Sequence, residues 1–196
     1  MGIDDITSDS LYNLVLAVPN MGRDEREETF KDIFRSVLGE FVVSKLIDEG
    51  FCEKPASTKY HGNYEGGLLQ HSIAVAYYLT LYTEKLNLHW EREDSPLLVG
   101  ILHDLCKIDS YRRVTNDEDT WVHSHSSLMG GHSQKSVIYA QMYGMKLTKE
   151  EILCIVNHMG SYETDRWDEY DRAVKSNKNV MYTHMADVAA SKILGV

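Results

Sequence analysis

Cysteine is scarce and dispersed in this chain: Cys52, Cys106 and Cys154 stand far apart, and no two form a C-x-x-C step. That spacing excludes a disulfide framework and the thiolate zinc motifs, and it reads as reduced, buried thiols. Basic charge is also in deficit. With 30 acidic against 20 basic residues, the 196-residue chain carries a formal charge of −10. A surface of that sign repels a phosphate backbone and excludes an extended nucleic-acid duplex as partner, while a local basic pocket can still hold one small phosphorylated ligand. No apolar run approaches the roughly 20 residues that span a bilayer. The opening, MGIDDITSDS, has neither the basic nor the apolar stretch of a leader. A soluble, cytoplasmic protein is expected, with no membrane partner and an oligomeric state that composition leaves open.

A hydrophobic content of 43% suffices for one sizeable core. Helical periodicity predicts a short helix over 8–18, stopped at Pro19, and a longer one over 24–49 with acids in its first turns and Gly50 at its end. A loop rich in turn formers, FCEKPASTKYHGNYEGG, leads to a helix over 68–86. Ser95-Pro96 opens the next, to about Lys107. The run YRRVTNDEDTWVHSH predicts a β-hairpin near 111–126 around an acidic turn. Helices follow over 131–143, 148–158 and 179–194, with 166–172 unassigned. The fold class is all-α, a helical bundle with a small hairpin insert. Residues 1–50 are expected to form a helical extension packed on a domain over 51–196.

Against that frame, six metal-competent side chains recur: His71, His103 with Asp104, His132, His158 and Asp187. They are separated by about 30 residues each, one helix, a turn and a return helix, which is how a bundle brings distant residues to one point. Most sit beside apolar helical runs, where an unpartnered polar group would cost about 1–3 kcal/mol. Imidazole nitrogen and carboxylate oxygen together suit divalent Mn, Fe, Co, Ni or Zn. A site for Mg alone would be richer in oxygen, though Mg remains possible. Six ligands exceed what one hydrolytic ion with open positions requires, so two ions are expected.

The segments GGLLQHS (66–72), LLVGILHDLCKID (97–109), GHSQKS (131–136), IVNHMG (155–160) and THMADVAAS (183–191), in that order, resemble the HD-domain metal-dependent phosphohydrolase superfamily from about Phe51 onward. The stretch PASTKYHGNYEGGL is also similar to the catalytic domain of bacterial HD-type 3′→5′ exoribonucleases. Those proteins usually carry an N-terminal OB-type module, where this chain has about 50 mostly acidic, helix-patterned residues. The resemblance implies that His71, His103, Asp104 and Asp187 hold a first ion, and that Asp104 bridges to a second held by His132 and His158. Two such ions can activate water and clamp a phosphoryl group. Lys107 matches the lysine of the family's HDxxK pattern and is expected to bind a phosphate oxygen, beside Asp104 as a catalytic residue. The expected activity is hydrolysis of a phosphoester or phosphoanhydride of a nucleotide or short oligonucleotide. A 3′→5′ exonuclease, an HD-type di-iron oxygenase and a non-catalytic nucleotide-sensing module stand as alternatives.

Arg112 and His61 complete the expected substrate contacts. Arg112 and Arg113 point to opposite faces of a strand, so at most one reaches the site. His123 and His125 share a strand face without an evident third ligand, and read as an exposed hairpin. Tyr64, Tyr162 and Trp167 are candidates for stacking on a base.

Overall fold

The computed structural model describes residues 6–114, 117–125, 127, 129–162 and 164–196. Its elements in chain order are α1 (Ser8–Ala17), α2 (Arg23–Leu38), α3 (Glu40–Asp48), α4 (Gly67–Leu86), α5 (Ser95–Leu102), β1 (Tyr111–Val114), β2 (Asp117–His123), α6 (Ser133–Met142), α7 (Lys149–Val156), α8 (Trp167–Ser176) and α9 (Asn179–Ala189). Short 3₁₀ turns and one π turn, Ala190–Leu194, join or extend them. The fold is all-α apart from one antiparallel hairpin, with Tyr111 opposite His123, Arg113 opposite Trp121 and a bulge after Arg113. Within that hairpin, Thr115 and Asn116 of the expected turn lie outside the described residues.

The centre of the bundle is α4, which packs along α1, α5 and α9. Its first three turns are buried on every side, so Leu68, Leu69, Ile73 and Leu79 meet Leu98, Ile101, Leu102, Ile155 and Val180 in one core. The crossing of α4 with α5 is close because Gly100 has no side chain. A Cβ there would lie 2.4 Å from the Cα of Ala76.

The helix expected over 24–49 is two helices. Gly39 sits at φ 82°, ψ 151°, a conformation that breaks the helical ladder and that side-chain-bearing residues rarely adopt. The chain turns there, and α2 and α3 pack on each other. On α2, the buried guanidinium of Arg26 donates to the carbonyls of Cys52 (2.9 Å) and Met21 (2.7 Å) and pairs with Glu65. Arg26 thus ties the first helices to the loop that leads into α4. The helix expected to run to Lys107 stops at Leu102. Asp104 takes φ −107°, ψ 19°, and a 3₁₀ turn follows over Leu105–Asp109. Consecutive residues of a continuous α-helix point about 100° apart. The break lets His103 and Asp104 face the same interior point. Among the described residues, no helix is long and apolar enough to cross a membrane.

Candidate metal centre

His71 lies in the second turn of α4 and is fully enclosed. His103 caps the C-terminus of α5, and Asp187 comes from α9. His132 is the residue before α6, and His158 lies two residues past α7. All six expected ligands converge around Asp104, which is itself buried.

Asp104 presents its two oxygens to different partners. Oδ2 lies 3.4 Å from His103 Nε2, 3.6 Å from His71 Nε2 and 2.5 Å from Lys107 Nζ. Oδ1 lies 3.0 Å from His132 Nε2 and 3.7 Å from His158 Nε2. Asp187 Oδ1 joins the first side, 3.1 Å from His71 Nε2.

Every histidine turns its other nitrogen away from this centre. The Nδ1 atoms of His71, His103 and His158 lie 2.9, 2.7 and 2.7 Å from the main-chain oxygens of Val196, Gly100 and Ile155. A carbonyl can only accept, so each Nδ1 carries a hydrogen and Nε2 is left as the nitrogen that can ligate a cation. The Nε2 atoms of His71 and His103 face each other across 3.2 Å, beside Asp104 Oδ2. Imidazole nitrogens and carboxylate oxygens gathered in this way fit a divalent cation. Donor atoms of His71, His103 and Asp104 lie within 4.8 Å of one another, and so do those of Asp104, Cys106 and His132.

The charges follow the same geometry. Burial opposes ionisation of Asp104, but Lys107 and the facing imidazoles prevail and hold it well below the ordinary carboxylate range. Burial drives His158 down to about 3, helped by His103. Burial also opposes a charge on His132, yet Asp104 raises it to about 10. The short contact between His132 and Asp104 is satisfied by a proton, and equally by a cation that both ligate.

Above the centre opens a cleft of about 490 Å³ whose walls include Ser57, Tyr60, His61, Lys107, Tyr111, Tyr162 and Lys192. His61 stacks 5.0 Å from the His71 ring. Burial, then the neighbouring His71 and Lys107, push it down to about 4, so it stays neutral near pH 7. Arg112 does not reach this cleft. Its side chain is exposed, with Nη1 3.4 Å from the Arg113 carbonyl. Arg113 pairs with Glu65 and lies over Trp121. The hairpin therefore contributes Tyr111 to the cleft, while Arg112 is exposed and Arg113 is held by Glu65 and Trp121. Trp167 is exposed beside Tyr170, and Tyr64 does not line the cleft.

Lys192 and Cys106 were not visible as site residues in the pattern. The π turn places Lys192 on the cleft, and an i→i+5 turn is invisible to a 3.6-residue count. Cys106 needed only the observation that it lies two residues after Asp104.

Residues 68–190 match the family model of the HD domain, well over half of the chain. The chain belongs to the HD domain family, the metal-dependent phosphohydrolase superfamily. Among curated proteins it is similar to the dihydroneopterin 2′,3′-cyclic phosphate phosphodiesterase of Methanocaldococcus jannaschii, 26% identical over 153 residues. That match takes in 76% of this chain and 56% of the relative, so the chain spans a little over half the length of that protein. No solved structure matches it.

Proposed function

We propose that this protein is a metal-dependent phosphohydrolase that cleaves a phosphoester of a small nucleotide-like substrate at a site for two divalent transition-metal ions. The observation that carries the reading is the division of Asp104. One oxygen faces His71 and His103, the other faces His132 and His158, as a bridging carboxylate requires. His71, His103, Asp104 and Asp187 would hold the first ion, and Asp104, His132 and His158 the second. When bound, two ions supply Lewis-acid activation of water and of the phosphoryl group.

The chain's own residues supply the rest. Lys107, largely buried and paired with Asp104, stands at the floor of the cleft and offers a point charge to a non-bridging phosphate oxygen. Its ammonium stays protonated because Asp104 outweighs the burial that disfavours the charge. Neutral His61 can donate to or accept from the substrate. Lys192 adds a second cation on the wall, and Tyr60 and Tyr162 flank the mouth as faces for a heterocycle. A cleft of this size takes one nucleotide-sized ligand. The relative's name supports a cyclic phosphodiester as the first substrate to try. In this reading the catalytic unit is residues 51–196, and residues 1–50 brace it through Arg26 and the contact of α1 with α4.

The test is a matrix of metal-stripped protein reloaded with Mn²⁺, Fe²⁺, Co²⁺, Ni²⁺, Zn²⁺ or Mg²⁺. Each form is assayed on 2′,3′- and 3′,5′-cyclic nucleotides, mononucleotides, bis(p-nitrophenyl) phosphate and oligonucleotides. The expected result is metal-dependent opening of a phosphodiester in a small substrate. Oxygen consumption without phosphoester cleavage would replace the reading with an oxygenase, and tight nucleotide binding without turnover would replace it with a sensing module.

A further inference from the structure

Cys106 is the cysteine of this chain that touches the metal centre. It is 1% exposed and held on both sides: its N–H donates to Ser136 Oγ at 3.0 Å, and its carbonyl accepts from Ser110 Oγ at 2.8 Å. Its sulfur lies 3.1 Å from His132 Nδ1.

The reason a thiol stands there is topological. His103 and His158 each leave a helix, and each Nδ1 meets the carbonyl three residues back in that helix. His132 stands at the start of α6, so no preceding helical turn offers such a carbonyl. Its ring is also the least enclosed of the four, with a side chain 33% exposed against 0–1% for the others. A ring that is neither packed in place nor held by a carbonyl needs another acceptor on its Nδ1 to fix its orientation.

We propose that Cys106 is a positioning residue for the second ion: its sulfur accepts the Nδ1–H of His132 and so aims the Nε2 lone pair at the position shared with Asp104 Oδ1, without ligating the ion itself. The inference rests on the two-ion reading above. It assigns to sulfur, a weak acceptor, the task that main-chain oxygen performs for the other three rings. Partners of this kind set the tautomer and orientation of a ligating imidazole, and losing one typically costs about 10- to 100-fold in metal affinity.

The experiment compares wild type, Cys106→Ala and Cys106→Ser, each stripped of metal and titrated with Co²⁺ while calorimetry and visible absorption are recorded. In Cys106→Ala the first equivalent should bind as in wild type and the second about 10- to 100-fold more weakly. Cys106→Ser should recover part of the loss, because a hydroxyl also accepts. The wild-type spectrum should lack a thiolate-to-cobalt charge-transfer band. Unchanged affinity for the second equivalent in folded Cys106→Ala would overturn the proposal. So would a charge-transfer band that disappears in Cys106→Ser, since Cys106 would then be a ligand. If wild type takes up a single ion, the two-ion reading fails by itself. Histidine ¹⁵N NMR then decides the positioning role separately: the His132 Nδ1–H should be hydrogen-bonded and slow to exchange in wild type and faster to exchange in Cys106→Ala, and identical spectra would rule the role out.

Discussion

His71 and His103 are enclosed between helices whose crossing is pinned by Gly100 against Ala76, whereas His132 is one-third exposed and precedes its helix. Each side of Asp104 faces two imidazoles, with Asp187 added on the inner side, but what holds the rings differs. On the inner side, the enclosing core and the carbonyls of Val196 and Gly100 set ring orientation. On the outer side His158 is enclosed in the same way, but His132 depends on local polar contacts: the thiol of Cys106, and a cluster in which Lys135 Nζ pairs with Asp109 while Tyr139 (2.6 Å) and Ser127 (2.8 Å) donate to the other Asp109 oxygen. That cluster fastens the turn after Asp104 to α6. The inner side chains are thus part of the packed core, whereas His132 is placed by a few hydrogen bonds that single substitutions can remove.

The sharpest way to break the comparison is at Asp104, which serves both sides. Asp104→Ala should lose both ions and lower kcat/KM by more than about three orders of magnitude. Elemental analysis showing wild-type metal content in that variant would rule out a bridging role.

The two sides should separate in a pair of histidine variants. His71→Ala should lose the first ion and also about 1–3 kcal/mol of stability, because a buried ring and its bond to the Val196 carbonyl disappear from the core. His132→Ala should weaken the second ion by more than the roughly 10- to 100-fold expected for losing its Nδ1 partner, while costing the metal-free protein less thermal stability than His71→Ala, because its side chain is one-third exposed. Equal thermal losses in the two variants would erase the distinction.

Within the cleft, Lys107→Ala and Lys192→Ala should each raise KM about tenfold, roughly 1.4 kcal/mol, if both cations hold phosphate oxygens. Lys107→Ala should also lower kcat, since it alone contacts Asp104. Steady-state kinetics on one cyclic phosphodiester would show the split, and a normal KM for Lys192→Ala would remove it from the substrate contacts.

The outer brace is best tested by acid. Burial opposes ionisation of Asp109, but its bonds from Lys135, Tyr139 and Ser127 hold it below the ordinary carboxylate value of 3.8. A carboxylate with a depressed folded pKa stabilises the protein fully above its unfolded value, and that contribution is lost as pH falls through the folded one. Asp109→Asn should cost about 1–3 kcal/mol at neutral pH by removing the charge opposite the buried Lys135 ammonium. Its stability should change less than wild type's as pH drops below about 4. Parallel acid profiles for the two proteins would show that the cluster contributes nothing.

The smallest effect concerns salt. With Arg112 exposed and Arg113 paired to Glu65, Lys107 and Lys192 are the cations that line the cleft. Single-strand contacts contribute a slope of about −0.7 each. Activity should therefore fall only mildly between about 50 and 200 mM salt and should not rise much with oligonucleotide length. A steep gain with length and a steep loss with salt would restore the exonuclease alternative.

The convergence of the six metal-competent residues was legible because they are chemically distinctive and recur at intervals of a helix pair, and the helices around them because their apolar period is local. Where the reading went astray, a single backbone position decided. Gly39 split one expected helix, and Asp104 ended another early, neither of which interrupts the apolar pattern. Arg112 looked like a substrate contact from its nearness in the chain to Lys107, but the hairpin turns Tyr111 inward and leaves Arg112 in solvent.

By itself the sequence determined an all-helical bundle, its hairpin, the six metal-competent residues and their family, since each is written in local period, turn chemistry or motif order. Only the tertiary structure decided which oxygen of Asp104 faces which imidazole, that the Cys106 sulfur meets His132 Nδ1, that the Val196 carbonyl meets His71 Nδ1, and that Lys192 reaches the cleft. These are contacts set by how helices cross and by a π turn that shifts register. No count along the chain contains the distance between two helices or the direction in which a side chain points across them.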